Sequence, residues 1–195
     1  MPGLDYTAGC VNFRDVGEWV ELIAGPMVLP HRHLLRGGKL DHVADASLIG
    51  NPGTILNVRR GPDKPKPGWA CCWEHIPLDK LPSDRDCYDA SNPAVRLWLH
   101  QVVELFARPT LAYPVFVHCT SGKDRTGMAV AVLLRIADVP LHVVEEEYAL
   151  SDGGVDVAGL RALLASIGDP ARYFARIDLP AVARGLRDVD PSRRR

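Results

Sequence analysis

Pro114-Val-Phe-Val-His-Cys-Thr-Ser-Gly-Lys-Asp-Arg-Thr-Gly127 is the stretch from which the fold can be read. Val115–Val117 is a short continuous apolar run of the kind that forms a strand buried on both faces. It delivers His118 and Cys119 to a turn, and a helix is expected from about Thr126. A strand-loop-helix of this kind aims the loop's backbone N–H groups and the helix's positive end at one point. Such a point is an anion site, and a phosphate fits it.

Working outward, short apolar strands alternate with helical stretches, which predicts a single α/β domain with a central, mostly parallel sheet flanked by helices. Strands are expected at Met27–Val28, His33–Arg36, Thr54–Val58, Cys72–Ile76 and Val115–His118. Helices are expected at Ala44–Ile49, Ala94–Ala107, Thr126–Ala137, Val143–Ala149, Val157–Ser166 and Ala171–Arg176. Pro93 suits the first turn of its helix, where a missing N–H costs nothing. Gly61–Gly68, with three prolines, and the polar Lys80–Asn92 read as loops, the second as a lid or binding loop. The domain is expected over residues 1–188, with 189–195 as a loose tail.

Composition excludes several function classes. The 195 residues are 47% apolar and 24% charged, which is ordinary for a globular chain. A net charge of −1 lacks the basic excess that nucleic-acid or membrane-surface binding leaves, so neither partner is expected. No apolar run approaches the ~18 residues of a membrane span, and the N-terminus has no signal-peptide layout, so a cytoplasmic location is expected. Five cysteines without metal-type pairing suit a reducing compartment. Cys71 and Cys72 read as packed or half-buried thiols, with a redox role for them, or for Cys87 as a resolving thiol for Cys119, as the alternative. His31-Arg-His33 could offer two imidazoles on one strand face, but nothing completes a metal set, and no cofactor is expected.

Each residue of the loop has a physical task. Cys119, beside the positive field, would be a thiolate nucleophile able to attack phosphorus. Thr120, Ser121, Gly122, Lys123, Asp124 and Arg125 would surround the phosphate. Gly122 allows close backbone approach, and Arg125 offers a planar fork for two phosphate oxygens. Thr126 can donate to the sulfur when it leaves, and His118 orients the loop.

These residues match the H-C-x-x-G-x-x-R-[ST] signature, and the chain resembles the protein tyrosine phosphatase superfamily of cysteine-dependent phosphatases. It is most similar to a bacterial branch with a Gly-Lys-Asp-Arg-Thr-Gly loop. Asn12-Phe-Arg-Asp-Val-Gly17, Leu35-Arg-Gly-Gly-Lys-Leu40 and Glu147-Tyr-Ala-Leu-Ser151 extend the resemblance over roughly residues 10–152. Asn57-Val-Arg-Arg-Gly-Pro-Asp63 departs from the Asp-Leu-Arg-Ser/Thr usual in that branch. The resemblance implies a phosphomonoester hydrolase working through a cysteinyl-phosphate. It favours Asp124 as general acid, with Asp79, Asp84 and Asp86 as alternatives. Arg14, Arg36, Arg59, Arg60 and Asp79 are candidate substrate contacts. The leading substrate expectation is a small anionic metabolite: a nucleoside, sugar or inositol phosphate, biosynthetic intermediates included. A phosphoprotein or phosphoinositide is the alternative. A non-catalytic phosphate-binding module would have shed Cys119 or Arg125, and both are present.

Overall fold

In the computed structural model, Val115–Val117 is unbroken and apolar because its strand sits in the middle of a sheet covered on both sides. The structure describes residues 9–26, 29–79, 81 and 84–187. Strands β1 (Arg14–Asp15), β2 (Leu34–Gly37), β3 (Thr54–Asn57), β4 (Cys72–His75) and β5 (Val115–His118) form one sheet in the order β1-β2-β5-β3-β4. β1 runs antiparallel to β2 with Arg14 opposite Arg36, and all other pairs are parallel. At the carboxyl end of β5, His118 is flanked by Gly37 on β2 and Asn57 on β3. Ligand sites of open parallel sheets lie outside such strand ends.

Side chains of β5 alternate between two cores, as the pleat requires. Val115 and Val117 enter the larger one. There they meet α2 (Pro93–Ala107), α3 (Asp124–Ile136), α4 (Leu141–Ala149), α5 (Val157–Ile167) and α7 (Leu179–Arg187), with the short α6 (Pro170–Tyr173) at the edge. Phe116 enters the smaller core with Phe13, Leu35, Leu40, Ile49 and Ile55, closed at its margin by Trp69 and Trp73. α3 is buried along nearly its whole length. Each of its large side chains, such as Leu133 or Met128, stabilises the fold by about 1.5–3 kcal/mol on leaving water. The helix is therefore a fixed post, and its first turn cannot drift.

Two helices were not foreseen. α1 (Val16–Ala24) starts at Asp15, whose carboxylate accepts from the Gly17 N–H at 3.0 Å, and ends at Gly25. The Asp15-x-x-Glu18 spacing was its legible start signal. α7 begins after Asp178, whose carboxylate accepts from the Ala181 N–H. Other differences are of extent. Ala46–Ile49 is a 3₁₀ turn, and the helix expected to reach Arg176 ends at Tyr173. The expected loop 80–92 contains a 3₁₀ turn at Asp84–Tyr88. The strand expected at Met27–Val28 and the tail 189–195 lie outside the described residues. No helix among the described residues is long and apolar enough to cross a membrane.

Candidate active site

The loop from Cys119 to Lys123 joins the end of β5 to the first turn of α3. Cys119 lies at its floor, 2% exposed. None of the backbone N–H groups from Thr120 to Arg125 donates to another part of the described chain, although the loop's carbonyls are engaged. Unpaired amides at a helix N-terminus form a concavity for an anion. Arg125, half-buried one residue into α3, has no hydrogen bond or ion pair among the described residues, so its guanidinium is uncommitted. Thr126 is buried, and its Oγ1 has no partner among the described residues. Gly122 has φ +69°, and a Cβ there would lie 2.3 Å from the Gly37 carbonyl carbon. Only glycine fits that contact.

Beneath the loop lies a buried ionic scaffold built from the three outlying segments singled out in the sequence. Glu147 on α4 accepts from Arg14 Nε at 2.7 Å and from Arg36 Nη1 at 2.6 Å. Arg14 also donates to the Glu147 carbonyl and Ser151 Oγ, and Arg36 to the Gly122 carbonyl at 3.0 Å. Asn12 donates to the Ser121 carbonyl at 2.8 Å and accepts from the Asp152 N–H. Loop carbonyls are thus held outward and down, which turns the N–H groups inward. Arg14 and Arg36, expected at the rim as substrate contacts, instead lie under the loop. Arg36 is wholly buried and shares the Glu147 carboxylate with Arg14. Burial, and then the charge of Arg14, pull Arg36 down to about 10 against the opposing charge of Glu147.

His118 is fully buried. Its Nε2 lies 2.7 Å from Asp63 Oδ2 and its Nδ1 3.3 Å from the Cys119 carbonyl. Burial acts to raise the Asp63 carboxyl, but hydrogen bonds and charge from His118 and Arg59 bring it below its ordinary value. Asp124, in the first turn of α3, accepts from the Tyr88 hydroxyl at 2.9 Å. Tyr88 in turn shares a 2.8 Å hydrogen bond with the Tyr148 hydroxyl. The polar loop before α2 therefore reaches the site through Tyr88, a contact that no spacing in the sequence announced. Gly127 makes this possible, since a Cβ there would lie 2.4 Å from the Tyr148 ring.

Comparison with known proteins decides the family. Residues 83–182, just over half of the chain, match the model of the tyrosine phosphatase family. The chain belongs to the tyrosine phosphatase family. Over 57 residues it is 40% identical to the triple specificity protein phosphatase PtpB of Mycobacterium tuberculosis, a stretch covering 29% of this chain. The match spans about a fifth of that relative's length. The core catalytic domain of the PP-IP phosphatase SIW14 from S. cerevisiae superposes with a TM-score of 0.55 at 13% identity. That superposition covers 77% of this chain and 93% of the yeast domain, and it supports the fold.

In this member of the family the remaining candidates are dispersed. Lys123 donates to the Gly153 carbonyl at 3.1 Å and stays 22% exposed at the rim. Arg59 is tied to Asp63 at 2.9 Å and to the Pro62 carbonyl, so it braces the turn after β3. It also borders a groove of about 510 Å³ with Asp63, Lys64 and Trp73. Arg60 and Asp79 are exposed. The Asp84 side chain lies outside the described residues, and Asp86 is half-buried with a partner of its own. His31 pairs with Glu21, whereas His33 bonds the Gly185 carbonyl and stacks on Tyr113. Those two imidazoles are engaged apart from each other. Burial pushes the Cys71 thiol up to about 11, and Cys87 is buried.

Proposed function

We propose that this protein hydrolyses phosphomonoesters through a cysteinyl-phosphate on Cys119. One observation carries the reading: the unpaired N–H groups of the 119–125 loop and the uncommitted Arg125 guanidinium surround Cys119 at the start of α3. The Cys119 thiolate attacks phosphorus, the ester P–O bond breaks, and Asp124 gives its proton to the departing oxygen. Arg125 holds two non-bridging oxygens through both steps. Water then attacks the phosphocysteine, losing its proton to the Asp124 carboxylate. The sulfur leaves as a thiolate, receiving a hydrogen bond from Thr126 Oγ1. The nucleophile and the positive charge are the chain's own, so the scheme uses no cofactor.

The substrate class follows from the rim. Lys123 at the rim and the exposed Arg60 beyond β3 favour a small molecule carrying further anionic groups, such as a nucleoside, sugar or inositol phosphate. The depth of Cys119 favours a second reading, phosphotyrosine, whose long side chain reaches a deep floor better than phosphoserine does. Cys119→Ser should abolish turnover of p-nitrophenyl phosphate while keeping phosphate affinity, because the cradle is backbone and Arg125. Substantial residual turnover would overturn the covalent mechanism. A panel of phosphorylated metabolites beside phosphopeptides, ranked by kcat/KM, decides between the two substrate classes.

A further inference from the structure

Resting on the phosphatase reading above, we propose that the groove lined by Trp73 and Lys64 holds the leaving group of the substrate, and that its chemistry selects a nucleoside carrying a second phosphate. At about 510 Å³ the groove falls within the range of small-molecule sites and is far larger than one phosphate needs. Two of its walls reach the loop after β5. Leu40 and Asp41 follow Lys39, whose N–H donates to the Thr120 carbonyl at 3.1 Å. Asp63 lies 2.7 Å from His118, the residue before Cys119. An ester bound at Cys119 thus has this groove as its neighbour on the Thr120 side. The third wall is the proline-rich turn that starts where the sequence departs from the bacterial branch. Asn57 shapes that turn, accepting from the Arg59 N–H at 2.8 Å and donating to the Gly61 carbonyl at 2.9 Å. Lys66 pins it, with Nζ donating to the Leu40 and Val43 carbonyls and lying 5.1 Å above the Trp69 ring. Trp69 in turn stacks on Trp73. The groove is therefore preformed.

What it lacks decides the ligand as much as what it offers. Pro62, Pro65 and Pro67 carry no N–H, and the side chains of Leu40 and Trp73 are apolar apart from one indole donor. Both carboxylates are already engaged, Asp63 with His118 and Arg59, and Asp41 with Lys39 at 2.9 Å. A sugar or inositol ring would bring its hydroxyls to walls with few partners for them, at the cost of their water. A purine or pyrimidine instead presents flat faces, on which an indole and proline rings pack. Lys64 is the free charge. It lines the groove, is exposed, and has no hydrogen bond or ion pair among the described residues. Lys66 adds a second ammonium with no carboxylate partner among them. A nucleoside bisphosphate uses every part: one phosphate at Cys119, the base against Trp73, and the other phosphate at Lys64.

The test ranks kcat/KM of the full chain over adenosine 3′,5′-bisphosphate, adenosine 5′-monophosphate, fructose 1,6-bisphosphate and a phosphotyrosine peptide. The nucleoside bisphosphate should lead each of the others by ~10-fold or more, from base stacking against the sugar and from the second phosphate against the monophosphate. This comparison needs no variant. Lys64→Glu, at an exposed position with no partner to lose, should raise KM for the nucleoside bisphosphate by ~10-fold or more and close its gap to the monophosphate. Parity or better from fructose 1,6-bisphosphate would overturn the assignment of a flat ring. A lead for the phosphotyrosine peptide would overturn the proposal in favour of a protein substrate. A Lys64→Glu variant that keeps the parent's gap between the two nucleotides would overturn the placement of the second phosphate. Each of these failures leaves p-nitrophenyl phosphate turnover by the parent, and its loss in Cys119→Ser, in place. A parent without that turnover removes the phosphatase reading itself, and the groove's role with it.

Discussion

Glu147→Gln is the perturbation that best isolates the scaffold under the loop. The carboxylate bonds Arg14 at 2.7 Å and Arg36 at 2.6 Å, and all three side chains are at most 4% exposed. The amide is nearly isosteric, so packing is kept while two guanidiniums lose their common counter-charge. Removing one partner of a buried ion pair costs about 3–5 kcal/mol, and here one residue serves two cations, which argues for the upper part of that range. At about 2–4 °C per kcal/mol for a domain of this size, Tm should fall by about 10–15 °C. The pH dependence supplies a second signature. Burial acts to raise the Glu147 carboxyl, but the charges of Arg14 and Arg36 outweigh it and hold the group below its ordinary 4.5. A depressed carboxyl contributes stability above its unfolded value and loses it as pH falls through the folded one. The difference between the parent and Glu147→Gln, measured by urea unfolding, should therefore be full at pH 7 and shrink below about pH 4.5. A Tm loss under about 3 °C, or a gap that does not change with pH, would rule out Glu147 as the shared counter-charge of Arg14 and Arg36. Turnover should fall as well, because Arg36 would no longer hold the Gly122 carbonyl.

Two further substitutions address the loop and the acid. Gly122→Ala drives a Cβ into the Gly37 backbone at 2.3 Å, so p-nitrophenyl phosphate turnover should drop at least ~100-fold even in folded protein; activity near the parent's would remove the close approach from the argument. Asp124→Asn should slow alkyl phosphates ~10²–10⁴-fold and p-nitrophenyl phosphate far less, since a nitrophenolate leaves without a proton. Tyr88→Phe, which frees the carboxylate from its 2.9 Å tether, should give the same leaving-group pattern at smaller amplitude. If Asp79→Asn shows that pattern and Asp124→Asn does not, the acid is the exposed upstream aspartate.

The strand-loop-helix around Cys119 was legible because its parts are contiguous. Strand, turn and helix start follow one another within Pro114–Gly127, and local rules cover all three. α1 was legible in principle from the Asp15-x-x-Glu18 spacing and from Val16, Trp19, Val20 and Ile23, which fall on one helical face. Arg14 and Arg36 show the opposite case. A sequence displays their charge and not their burial, and a surface guanidinium and a buried one are written with the same letter. What separates them is Glu147, which lies 133 residues from Arg14 and 111 from Arg36.

The order of residues along the chain sufficed for the strand, turn and helix start around Cys119, because contiguous groups need only one turn to face one point. It also determined the α/β class, because the alternation of short apolar strands with helices leaves few ways to bury both. Tertiary packing alone set which charges lie buried under the loop and which stay exposed. It brought Asn12, Arg14, Arg36 and Glu147 together below Gly122, Asp63 onto His118, and Tyr88 onto Asp124. These partners come from separate strands, turns and helices. Their pairing depends on how the layers stack and on the free energy of leaving a buried charge unmatched, and neither quantity is carried by any local stretch of sequence.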